Sequence, residues 1–207
     1  MERENLSEIL LNSISHGLGV IVGIVFLVIF IVISNTGLEL AAAIVFGIAV
    51  IYMFLMSTLY HSLFMTKARV VFKRLDHSAI YFLIASSFVP YLLLAVGDAP
   101  DYKSIIILYT VAIIGIVFKA INPKKYEIVH ITMFLAMGWT ALFFVGDIYQ
   151  YSRIAFYFLA LGGVMYSVGV IFYAVMKFNY AHFVWHLFVL AGLVCHAISI
   201  FYVLITK

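Results

Sequence analysis

Charge is what this sequence has least of. Only 10% of its 207 residues are Asp, Glu, Lys or Arg, against 66% hydrophobic and a mean hydropathy of +1.18. A soluble domain is about a quarter charged and about half apolar. So little charge cannot cover a water-facing surface, and lipid must be the solvent. Twelve bases against nine acids give a net charge of +3 with no basic patch, which excludes a nucleic-acid partner. A single cysteine, Cys195, excludes an intrachain disulfide, and its place in an apolar run makes it a small core residue. Linkers, internal repeats and low-complexity tracts are missing too. Basic residues are scarce at the N-terminus, where Met1 to Ser15 is acidic. The apolar run that follows leads directly into a second, which points to a retained helix and not a cleaved signal.

What is present is hydrophobic length. A helix needs about 20 mostly apolar residues to cross a bilayer. Reading between charges gives seven spans, at 17–34, 40–63, 75–96, 104–118, 128–145, 154–176 and 185–206. The expected fold is an all-α seven-helix bundle, occupying residues 1–207 as one transmembrane domain. The fourth span is the shortest, with 15 residues between Lys103 and Lys119, whose side chains can snorkel to opposite interfaces. Pro90, late in span 3, reads as a kink. Gly162, Gly163, Ser167 and Gly169 in span 6 read as a close-packing surface.

Basic residues order the spans. On the N-terminal side fall Arg3, Lys67, Arg69, Lys73, Arg74, Lys119, Lys124, Lys125 and Lys177, nine in all. The other side holds three, Lys103, Arg153 and Lys207. The positive-inside rule then sets the N-terminus in the cytoplasm and the C-terminus outside.

Histidine supplies the candidate chemistry. Of His16, His61, His77, His130, His182, His186 and His196, all but His196 fall at the cytoplasmic ends of spans. An imidazole at membrane depth calls for a partner. His182 and His186 are an i, i+4 pair, about 6 Å apart in rise on one helix face, a spacing that lets both bind one metal. A catalytic zinc usually takes three protein ligands and leaves a fourth position for water. His61, at matching depth at the end of span 2, is the third candidate. Ser57 lies one turn above it, and Asp76 enters span 3 where a carboxylate can hold the water and accept its proton.

Each element alone has a plainer reading. The histidine pair can be coincidental, His61 interfacial, Asp76 a helix cap or partner of Arg74, and Ser57 a packing serine. Agreement in depth favours the joint reading. His77 follows Asp76 by about 100° of helix rotation and is expected to face elsewhere. His16 and His130 read as interfacial or capping, and His196 as a hydrogen-bonded core histidine.

The stretches Ile14-Ser15-His16-Gly17, Ser57-Thr58-Leu59-Tyr60-His61-Ser62, Leu75-Asp76-His77-Ser78-Ala79-Ile80-Tyr81 and His182-Phe183-Val184-Trp185-His186-Leu187-Phe188 resemble the bacterial hemolysin III branch of the progestin and adipoQ receptor (PAQR) family. The likeness runs nearly end to end, through Met137-Gly138-Trp139 and Tyr166-Ser167-Val168-Gly169. It implies seven helices with a cytoplasmic N-terminus. It also implies zinc held by His61, His182 and His186, with Asp76 on the water and Ser57 lining the site. The family is grouped with alkaline ceramidases, which implies a metal-dependent hydrolase of a lipid amide or ester bond with a role in membrane lipid homeostasis. The substrate would enter from the bilayer of the bacterial cytoplasmic membrane. The resemblance does not extend to the receptors' long N-terminal domain, so a protein hormone is not the expected ligand. It also carries His77 where the eukaryotic receptors tend to have tyrosine. Two other readings stay open: a membrane-perturbing hemolysin, for which the spans offer no polar stripe, and a zinc-stabilised receptor or sensor. Substrate identity and oligomeric state are not legible.

Overall fold

Backbone N–H and C=O groups in hydrocarbon must be satisfied within the protein, which leaves only helices or closed barrels. The computed structural model describes residues 5–121 and 126–206, and these contain helices and no strand. Arg3, Lys124, Lys125 and Lys207, four of the bases used to orient the chain, lie outside the described residues. The order is α1 (Leu6–Ile33), α2 (Gly37–Ser62), α3 (Arg69–Leu94), α4 (Tyr102–Ile121), α5 (Glu127–Trp139), a 3-10 turn (Thr140–Phe144), α6 (Val145–Tyr151), α7 (Arg153–Ala174) and α8 (Ala181–Ile205). With α5 to α6 counted as one unit, seven helices are long and apolar enough to cross a membrane, as hydropathy predicted.

Capping sets several starts. Thr36 accepts the Glu39 N–H at 3.2 Å while the Glu39 carboxylate accepts the Asn35 N–H at 2.6 Å, a reciprocal arrangement that opens α2. Asp101 accepts the Ser104 N–H at 3.0 Å ahead of α4. Hydrogen bonds from Ser104 hold the Asp101 carboxyl below its ordinary pKa.

Three boundaries differ from the hydropathy reading for one physical reason. Helix α1 starts 11 residues before the expected Gly17, α3 six before Leu75, and α8 four before Trp185. The added turns carry polar residues, which interrupt a hydropathy run without interrupting a helix. In α1 those residues, Asn12, Ser15 and His16, are buried. Helix α4 gains two residues at its start and three at its end and reaches 20 residues. Its Lys119 is not snorkelled to the surface as expected: the side chain is buried and lines the internal cavity. The fifth span, expected to be continuous over 128–145, is broken by the 3-10 turn.

Consecutive helices from α1 to α4 pack in series, and α8 sits against α1, α3 and α7. A buried chain of hydrogen bonds ties three of them. Tyr91 donates to Ser199 Oγ at 2.8 Å, and Ser199 donates to the Ala155 carbonyl at 2.6 Å. Helix α5 stands at the edge of the bundle, burying only His130 and Met137.

The α7–α8 contact depends on exchanged glycines. A Cβ on Gly162 would overlap His196 Cδ2 and come within 2.7 Å of its Nε2, and one on Gly192 would meet Tyr166 at 2.7 Å. Each helix thus receives a ring from the other where it lacks a side chain. Gly162→Ala is expected to destabilise the bundle by about 1–3 kcal/mol through overpacking. Gly163→Ala, which faces open space, should leave stability unchanged or slightly raised. Thermal unfolding of both variants in one detergent checks the contrast.

Candidate metal centre

The end of α2 and the starts of α3 and α8 meet in one place. Among the described residues, His61, His182 and His186 are the group of metal-ligating side chains that converge, with one nitrogen from each within 4.8 Å of the others. Their ring centroids lie 4.7 to 5.2 Å apart. Three imidazoles bound at 2.0–2.1 Å to one tetrahedral ion hold their nitrogens about 3.3 Å apart, so small side-chain rotations close the set.

The state of the nitrogens is what a metal requires. Both ring nitrogens of His61 are buried and have no hydrogen-bond partner. An imidazole left so in an apolar bundle is costly, and an ion would relieve it. His186 Nδ1 lies 3.3 Å from the Asn12 carbonyl and 3.2 Å from Ser15 Oγ. A carbonyl only accepts, so this contact favours the tautomer with the proton on Nδ1, which leaves the Nε2 lone pair for a ligand bond. These three histidines could therefore hold a metal ion.

Asp76 and Ser57 stand beside them. Both are buried, their side chains lie close together, and both line the cavity that His182 and His186 also line. That cavity is about 280 Å³. It continues along α7 from Tyr173 to Phe156, 17 residues or about 26 Å of helix, close to the thickness of a hydrocarbon core. Asp76, Ser57, His182 and His186 line one end of it, and its length is walled mainly by apolar residues such as Leu83, Phe88, Phe134, Leu159 and Val189, with Ser87, Ser167 and His196 among them.

Four histidines depart from their sequence-level readings. His77 does not face elsewhere but lines the same cavity as Asp76. His130, in the first turn of α5, is not surface-exposed but buried, with Nδ1 2.7 Å from Tyr81 Oη. His196 lies in the core but has no hydrogen bond, its ring packing edge-on to Tyr166 at 5.2 Å. His16 is buried in the third turn of α1 and stacks on His186, centroids 3.5 Å apart and planes 13° from parallel. Sequence reasoning missed α1 as part of this site. The available signal was the i, i+4 spacing of Asn12 and His16, which puts both on one face inside an otherwise apolar helix.

Comparison with known proteins decides the family. The sequence pattern of the family described as "Haemolysin-III related" matches residues 5–197. This chain belongs to that family. A Bacillus subtilis (strain 168) protein named "Hemolysin-3 homolog" is 36% identical over 191 residues, covering 90% of each chain. "Hemolysin-3" of Bacillus cereus is 35% identical over 191 residues, covering 90% of this chain and 87% of its own. A human protein, "Monocyte to macrophage differentiation factor", is 27% identical over 198 residues, 91% of this chain and 81% of the relative. The bacterial hemolysin III resemblance with a more distant PAQR relative is thereby borne out, and the chain is a multi-pass membrane protein of that family.

Proposed function

We propose that this haemolysin-III family protein is a zinc-dependent hydrolase of a lipid amide or ester bond, acting within the cytoplasmic membrane of a bacterium. The observation that carries the reading is the joint placement of a three-histidine cluster and the Asp76–Ser57 pair at one end of a long apolar cavity. Three protein ligands leave a fourth position open, the arrangement of catalytic rather than structural zinc. A zinc ion bound by His61, His182 and His186 would supply Lewis acidity, polarising a carbonyl and lowering the pKa of a water.

This chain's own residues do the remaining work. The Asp76 carboxylate accepts a proton from the attacking water and returns it to the departing amine or alcohol. The Ser57 hydroxyl, beside Asp76, orients the carboxylate by donating to it. The apolar cavity takes the hydrocarbon chain of the substrate and excludes bulk water. A mainly apolar wall, with only scattered polar groups such as Ser87, Ser167 and His196, fits a lipid better than an ion, which favours hydrolysis over a pore despite the relatives' names. The excess of bases on the N-terminal side supports a metal centre at the cytoplasmic face.

The test is turnover by purified protein in lipid bilayers, supplied with ceramides and with ester-linked lipids. Hydrolysis should stop on treatment with a strong zinc chelator and return on adding zinc. Protein that binds zinc fully and cleaves no member of the panel would overturn the hydrolase reading and leave a zinc-stabilised sensor.

A further inference from the structure

The proposed ligands come from α2 and α8, yet the groups that fix one of them come from α1. Asn12 and His16, one turn apart, face His186 from the first helix of the chain. The Asn12 main-chain carbonyl lies 3.3 Å from His186 Nδ1. Ser15 donates to that same carbonyl at 3.0 Å and brings its oxygen within 3.2 Å of the same Nδ1. His16 lies flat against the ring, 3.5 Å between centroids, and itself packs edge-to-face with Phe54, centroids 4.8 Å apart. All three α1 residues are 4% exposed or less, so no solvent competes for these contacts.

From this arrangement we infer that α1 positions His186 for its metal: the Asn12 carbonyl selects the tautomer and the His16 ring sets the plane. The inference rests on the metal-centre reading given above. An imidazole has two soft coordinates, which nitrogen bears the proton and how the ring turns about its Cβ–Cγ bond. A carbonyl opposite Nδ1 removes the first freedom, because only the Nδ1–H form can make that bond. A ring stacked on one face and itself packed against a phenylalanine removes the second. Helix α8 supplies the ligand without being able to restrain it, since an i, i+4 neighbour on the same helix shares its direction.

His16 itself is not a member of the converging group. Its contribution is the face of its ring, and an aromatic ring without nitrogen can provide that. The two roles, ligand and positioner, therefore separate by substitution. Outer residues that hold a metal-binding histidine typically contribute about 10- to 100-fold in affinity.

The experiment is cobalt(II) titration of the purified full chain in lipid nanodiscs, read by the visible ligand-field spectrum, for the parent, His16→Ala, His16→Phe and His61→Ala. His16→Ala is expected to weaken cobalt by about 10- to 100-fold, and His16→Phe to bind as the parent does, with an unchanged spectrum. Equal losses in both variants would show that the imidazole nitrogens act directly and overturn the positioning role, as would full affinity in His16→Ala. Unchanged binding in His61→Ala removes the metal centre itself, a failure distinct from that of the inference. Thermal unfolding of the metal-free proteins shows which variants are folded. A second readout needs no substitution in α1. Long-range proton–nitrogen correlation spectra of metal-free protein, with the His186 signals identified by their loss in His186→Ala, should place the proton on Nδ1. A proton on Nε2 overturns the tautomer assignment even if every α1 variant misfolds.

Discussion

Asp76→Ala is expected to keep its zinc and to lose about 10²- to 10⁴-fold in lipid hydrolysis, the range for removal of a positioned general base. The carboxylate is buried within the second turn of α3, against Ser57 of α2, at the end of the cavity where the three histidines converge. An acid so placed in a membrane helix is costly unless function retains it. The variant keeps all three proposed ligands, so metal content and turnover should part company. Zinc analysis of purified Asp76→Ala beside a turnover assay checks this. Loss of zinc in the variant would make Asp76 a ligand instead of a base, and parental turnover would remove it from the chemistry.

His61→Ala should lose the metal outright, falling below about a tenth of an equivalent per chain, because two imidazoles from α8 do not complete a three-ligand site. His61 is the stronger choice than either α8 histidine for this test. Both its nitrogens are buried without a hydrogen-bond partner, so its replacement breaks no other bond in the protein. The metal-free variant should therefore fold as the parent does, and its unfolding temperature should no longer rise on adding zinc, as ligand linkage requires of a protein without the site. A parental zinc content in His61→Ala would dissolve the proposed centre.

How far the sequence carried these expectations differs from element to element. Seven apolar runs were legible because hydropathy averages over whole spans, and lipid makes that average decisive. The ends of α1, α3 and α8 were not, because Asn12, Arg69 and His182 look like loop residues to a hydropathy count while the backbone continues helical through them. The break in the fifth span has no proline or charge to announce it. At the site, His182 and His186 were legible from spacing within one helix. Their meeting with His61 was reachable only through depth, which the basic-residue count and family resemblance supplied. The stacking of His16 on His186 was out of reach, since it depends on which face of α1 turns toward α8. Lys119 shows the same limit from the other side: its position near a helix end fits a snorkelling lysine, and only the packing of α4 turns it inward.

The loose seating of α5 at the edge of the bundle has a practical consequence. Its residues Phe134 and Leu135 form one wall of the cavity, while its outer side presents Ile128, Val129 and, beyond the 3-10 turn's start, Phe143. Lateral pressure from acyl chains is then part of what holds that wall in place. A detergent belt exerts no comparable pressure, so preparations stripped of lipid should show a swollen, leaky chamber and understate the protein's competence. Native-like bilayers belong in any assay of this protein as a reagent, on the same footing as the metal.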